Sequence, residues 1–183
     1  MITRLSDEAG HAAARDRIEE IFFLSSGAGS GLVGADRKRF WRRWTEYYLS
    51  EVQESVLLYR TPRGVLAAYL TGCPDSAAAR PLYDDLFYYR AFEGLYGLYP
   101  AHFHVNCHPD FRDRGIGAAL VEFFVAECGA AGLAGVHLVT AAGARNRRFY
   151  ARCGFAEQAR RQIADSDMVL LGRLCNRSDP VTD

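Results

Sequence analysis

A chain of 183 residues, 49% hydrophobic and 24% charged, is sized for one globular domain with a substantial core. Its 22 basic and 22 acidic residues balance to a formal net charge of zero, which gives no basis for binding nucleic acid or an anionic membrane. The five cysteines form no CxxC pair and read as reduced thiols, neither disulfide framework nor metal site, and without an apolar leader or spanning run a cytoplasmic protein is expected.

Residues 1–5 read as a short strand, and Asp7 or a neighbour as the cap of a helix reaching about Leu24, with Ile18, Ile21, Phe22 and Leu24 in partly helical spacing. The glycine-rich stretch 25–34 is a loop, and 35–52 a second helix carrying Phe40, Trp41, Trp44, Tyr47 and Tyr48, read as core. Residues 54–60 and 65–70 form a hairpin around the turn Thr61-Pro62-Arg63-Gly64. The segment 73–100 is the least regular and holds seven aromatics, too apolar for a solvated linker; it reads as an insertion that packs as a short helix or an ordered lid.

From there the pattern is regular: a strand over 101–108, a helix from Gly115 to about Cys128, a strand over 136–140, a helix over 144–152, and a final strand pair over 155–161 and 168–174. This order gives an α/β (α+β) fold, a mixed sheet of six to seven strands with helices on both sides. A single domain over 1–175 and a flexible tail over 176–183 are expected.

The most informative stretch is Arg112-Asp113-Arg114-Gly115-Ile116-Gly117, between a strand and a helix. A strand turning through two glycines into a helix leaves backbone N–H groups unpaired at the positive end of the helix dipole, where a phosphate-bearing ligand fits. A dinucleotide fingerprint is rejected because Leu120 stands where its third glycine belongs, and a Walker A loop because its Lys-Ser/Thr pair is missing. The alternative is a plain glycine-rich turn. About thirty residues on, a helix carries Asn146 and Tyr150 four apart, on one face, and ends at Gly154-Phe155.

Arg-x-x-Gly-x-Gly followed by Phe149-Tyr150-x-x-x-Gly154-Phe155 resembles the GCN5-related N-acetyltransferases (GNAT), closely over 99–155 and elsewhere through the order of elements. Within them, 99–104 and 135–138 resemble bacterial acetyltransferases similar to the acetyltransferase-like C-terminal domain of O-GlcNAcase. The resemblance implies acetyl-CoA as acyl donor, its pyrophosphate wrapped by Arg112, Asp113, Arg114, Gly115, Ile116, Gly117 and Ala118. It implies a bulged strand whose Val105, Asn106 and Cys107 pair with the pantetheine arm, with Asn146 and Phe149 supporting it. Tyr150 would stand by the thioester sulfur as the acid for the departing thiolate. The family's usual asparagine lies seven residues before that tyrosine, where this chain has Gly143, with Asn146 as its substitute.

Alternation along the strand puts His102, His104, Asn106 and His108 on one face. His104 and His102 are candidate bases, since imidazole titrates near neutrality; the alternative is polar filling beneath the aromatic insertion. Asp84, Asp85 and Glu93 read either as contacts for a cationic acceptor or as a solvated loop face, and the insertion's aromatics either as acceptor-pocket walls or as core. The reading is an N-acetyltransferase acting by direct transfer to a small-molecule or peptide amine, with a homodimer open. Its rival is a catalytically degenerate fold that binds CoA or a protein without turnover.

Overall fold

The structure, a computed structural model, describes residues 1–26, 29 and 31–175. Seven strands, β1 (Ile2–Arg4), β2 (Val56–Arg60), β3 (Leu66–Cys73), β4 (Ala101–Cys107), β5 (Gly135–Ala141), β6 (Ala156–Ile163) and β7 (Ser166–Leu174), form one sheet in the order β1-β2-β3-β4-β5-β7-β6. β4 and β5 run parallel and the other neighbours antiparallel, so the sheet is mixed, as expected. Period-two alternation sorts the strand side chains into two cores. Leu58, Tyr69 and Leu170 face one side, Leu57, Leu70 and Phe103 the other.

The first core is covered by α1 (His11–Ser25), by α2 (Gly34–Trp41) continuing into α3 (Tyr47–Glu51), and by the 73–100 segment with its short α4 (Arg80–Asp85). The second is covered by α5 (Ile116–Ala130) and α6 (Arg147–Arg152). Among the described residues no helix is long and apolar enough to cross a membrane.

Two expectations, both on helix bounds, are revised. Helix α1 begins at His11, after an uncapped Gly10, because Leu5–Asp7 closes a 3-10 turn of its own. There the Glu8 carboxylate is engaged by Arg60 at 2.8 Å and by Thr3 at 3.2 Å. The second helix runs from Gly34 to Glu51 but is interrupted by a π turn over Arg42–Glu46. The 73–100 segment is core on this side, with Tyr88, Tyr89, Phe92, Tyr96 and Tyr99 buried and the Tyr96 hydroxyl donating to the Tyr89 carbonyl at 2.7 Å. The 61–64 turn forms as read, closed by Gly64 N–H to the Thr61 carbonyl at 2.9 Å. Of the glycine-rich loop, residues 27, 28 and 30 lie outside the described residues, as does the tail 176–183.

Tyr99, at the entry to β4, lies across the backbones of Gly135 and Gly172. A methyl group at Gly172 would stand 2.7 Å from its ring and 2.8 Å from Gln158. Gly172→Ala is therefore expected to lower unfolding stability by about 1–3 kcal/mol, as for other overpacked sites; an unchanged urea midpoint would contradict this packing.

Candidate active site

The site begins with a pairing that stops. β4 and β5 are in register at Ala101↔Val136 and His102↔His137 and at no later pair. β4 stays paired with β3 out to Cys107 without a register shift, and β5 stays paired with β7 from Gly135 to Ala141. The two central strands thus diverge, each held by its outer neighbour. The expected bulge is absent from β4; divergence alone opens the sheet. From Phe103 onward the edge of β4 that faces β5 has no strand partner, and such backbone groups are satisfied by water or by an added extended ligand.

The open edge leads into the N-terminus of α5. Gly115 caps it with φ +75° and Asp113 precedes it with φ +58°, so the chain twice enters the left-handed region and turns successive N–H groups to one side. No side chain caps the helix, and its first internal bond joins Ala119 N–H to the Gly115 carbonyl at 3.0 Å. The N–H groups of Ile116, Gly117 and Ala118 are left for an anion. A Cβ on Gly117 would stand 3.4 Å from the Phe149 ring, so the glycine keeps this wall low.

Together these elements bound a groove of about 850 Å³ running from Val105, Asn106 and Cys107 past Arg112 and Gly115 to Gly117. Asp113, Ile116, Ala118, Asn146, Phe149 and Tyr150 also line it. Of the expected cofactor residues Arg114 stands apart. Its guanidinium donates to the Asp110 carbonyl at 2.8 Å and faces a separate hollow with Phe111 and Pro62.

Tyr150 comes from α6, a helix fixed from behind. Arg173 on β7 grips the Glu122 carboxylate of α5 with both terminal nitrogens (2.6 and 2.9 Å) and donates to the Cys153 carbonyl at 2.8 Å. Tyr150 is buried against Phe103 and Phe155, and burial pushes its hydroxyl well above the ordinary tyrosine range, so it stays protonated. Asn146 accepts from Thr140 at 3.1 Å, which places it beside the splay from the α6 side.

On the other side of Tyr150 lies a second cavity of about 280 Å³, which shares Val105, Asn106, Asn146 and Tyr150 with the groove. Its remaining walls come from Phe22 of α1 and Ser26 after it, Phe40, Trp44 and Thr45 of the interrupted helix, Tyr69 and Thr71 of β3, His104, and Val139 of β5. The hydrogen-bond polarity around the histidines can be read from one fixed end. Ser76 Oγ donates to the Pro100 carbonyl at 2.6 Å, so at 2.8 Å it accepts from His102 Nδ1. His102 Nε2 then accepts from the Tyr48 hydroxyl at 2.8 Å, and the Tyr48 oxygen accepts from His104 Nε2 at 3.1 Å. His104 Nδ1 is left with its lone pair and, among the described residues, no hydrogen-bond partner. Burial lowers the pKa of His104 to about 4; it lowers that of His102 too, helped by the two neighbouring imidazoles.

His104 lines the cavity, whereas His102 lies beneath it with both ring nitrogens engaged. His108 has left the strand and accepts from Asp110 N–H at 3.3 Å. Asp84, Asp85 and Glu93 are exposed and line neither cavity nor groove, and the insertion's aromatics pack below His102. The walls that sequence reasoning placed in the core or passed over are Phe22, Phe40, Trp44, Tyr69 and Thr71. The available signal was that Tyr69 and Thr71 alternate in phase, opposite Asn106 and His104.

Residues 68–157 match the family model of the acetyltransferase (GNAT) domain. That span holds the groove apart from Ser25, but not Phe22, Phe40 or Trp44 of the second cavity. No curated protein matches the chain. The crystal structure of SsHAT is similar over 97% of this chain and 98% of its own, with 24% identity and a TM-score of 0.76. The ribosomal-protein-S18-alanine N-acetyltransferase from Escherichia coli aligns over 100% of this chain and 98% of its own (17% identity, TM-score 0.57). For yncA from Salmonella typhimurium, whose structure holds its cofactor acetyl-CoA, the figures are 97% and 94%, with 17% identity and a TM-score of 0.58. The fold is the GNAT fold.

Buried His102 and His137 and half-buried His104 make stability depend on pH. Burial lowers His137, like His104, to about 4, whereas the unfolded chain titrates near 6.5. A lowered folded pKa means that the fold holds the neutral ring. The contribution is complete above about pH 6.5 and is lost as pH falls towards 4. Unfolding free energy should drop by on the order of 1 kcal/mol for each of His104 and His137 between about pH 7.5 and 5.5, with His102 acting in the same direction. Equal urea midpoints at the two pH values would contradict the neutral network.

Proposed function

On a GNAT fold whose central strands part beside a free helix N-terminus, we propose that this chain is an acetyl-CoA-dependent N-acetyltransferase. The observation that carries the reading is the junction at Tyr150, one of four residues shared by a groove that ends at a helix N-terminus and a second cavity. An acyl donor and an acceptor entering from opposite sides would meet there, as direct transfer requires.

The residues present fit the donor. The N–H groups of Ile116, Gly117 and Ala118, with Arg112 beside them, would hold the pyrophosphate. The unpaired edge of β4 at Val105, Asn106 and Cys107 would pair with the pantetheine amides, and a Cβ at Gly117 would narrow the cradle. Asn146 and Phe149 would support the arm from α6. Acetyl-CoA, when bound, supplies an activated acetyl group and a thiolate leaving group.

Tyr150, kept protonated by burial, would donate its hydroxyl proton at the sulfur position. His104, its Nε2–H held by Tyr48, would offer Nδ1 to the proton that the acceptor nitrogen sheds. His102 is a positioning residue behind it. An open β4 N–H is the donor available to a developing oxyanion. The narrower likeness to the O-GlcNAcase acetyltransferase-like domain rests on 99–104 and 135–138, the segments that carry Tyr99, His102 and His137. A small-molecule or peptide amine is the acceptor class.

Tyr150→Phe should slow acetyl transfer about 10²-fold while leaving acetyl-CoA affinity within a few-fold. Stopped-flow release of CoA thiol, beside calorimetry of acetyl-CoA binding, separates the two; turnover unchanged in the variant would remove Tyr150 from the chemistry.

A further inference from the structure

The cavity beyond Tyr150 is unusual in what its walls lack. Among the described residues lining it there is no aspartate, glutamate, lysine or arginine. Aromatic faces are supplied by Phe22, Phe40, Trp44 and Tyr69. Two polar atoms are buried there with no hydrogen-bond partner among the described residues, Trp44 Nε1 and Thr71 Oγ1. Thr71 is 1% exposed and stands directly across the β3–β4 ladder from His104. A buried indole N–H and hydroxyl without partners cost on the order of 1–3 kcal/mol each, a cost that a polar atom brought in by a ligand would offset. Their donors carry no charge, and His104, which lines the same cavity, keeps a lone pair on Nδ1.

Resting on the acetyltransferase reading, we propose that this cavity takes a small, weakly basic aromatic amine in its uncharged form, with an oxygen that accepts from Trp44 or Thr71. An alkylammonium would be stripped of water with no carboxylate to receive it, a burial that costs several kcal/mol per ion, more than the roughly 2 kcal/mol that cation–π contact with the aromatic walls returns. His104 could not first discharge it: a ring titrating near 4 facing an amine of pKa about 10 leaves that transfer roughly 10⁶-fold uphill. An arylamine arrives neutral and needs no such step. Its nitrogen bonds to the acetyl carbon as the carbon–sulfur bond breaks. The nitrogen's surplus proton passes to His104 Nδ1, and Tyr150 supplies one to the sulfur.

A pair of probes that differ by one methylene tests this. 4-Aminobenzamide is neutral at pH 7 and 4-(aminomethyl)benzamide is cationic, on the same ring and carbonyl. Calorimetry on the CoA-saturated protein is expected to show 4-aminobenzamide bound at least about 10-fold more tightly. Its kcat/KM should be higher by about 10², the scale of the neutral fraction its partner lacks at pH 7. Thr71→Val should raise the Kd of 4-aminobenzamide by roughly 10-fold with acetyl-CoA affinity unchanged. Binding of acetyl-CoA together with a preference for the alkylamine, or with neither amine bound, would overturn the inference alone. A folded protein that fails to bind acetyl-CoA would overturn the donor-site reading beneath it as well.

Discussion

The structure turns on an incomplete ladder. Parallel strands β4 and β5 pair through His102↔His137 and then part, although each continues in register with its other neighbour. An unpaired strand edge inside a sheet is a standing requirement for hydrogen bonds. The helix N-terminus of α5 sits at the end of that edge, and the charge-free cavity opens on its far side. Were the ladder closed, neither groove nor cavity would exist, and Tyr150 would be one more buried aromatic.

What holds the strands apart is as informative as the gap. At the last shared pair His137 stacks on Tyr96 and His102 meets Tyr89 edge-on, and Tyr99 fills the space over Gly135 and Gly172. Above it, the π turn at Arg42–Glu46 lies where Trp44 reaches the cavity, a position where π turns often mark functional sites. The serine–histidine–tyrosine–histidine chain joins these layers. It satisfies a polar interior and fixes which nitrogen of His104 carries the proton, so one network serves both stability and the tautomer of a candidate base.

Much of the groove was legible in the sequence because its parts are local. Arg112 to Gly117 is a turn between a strand and a helix, and Asn146 and Tyr150 share a face by spacing alone. The alternation of His102, His104 and Asn106 survives because no bulge resets it. Local periodicity could not say which histidine reaches the cavity. That depends on Tyr48, 54 and 56 residues away, sliding between the two rings. Phe22, Phe40 and Trp44 look like core by periodicity, and they are apolar walls; only the tertiary packing of α1 and the interrupted helix against β4 leaves a void beside them. The start of α1 was misplaced for a related reason, since Glu8 is engaged by Arg60 from a distant strand.

The most direct test of the central claim is calorimetric titration of the protein with acetyl-CoA, with Gly117→Glu alongside. A glutamate there puts bulk and negative charge beside the Phe149 ring, where the pyrophosphate would lie. Binding at about micromolar Kd in the wild type and its loss in a folded variant is the outcome this account requires. Equal affinity in the two proteins, or no binding to the folded wild type, would contradict it.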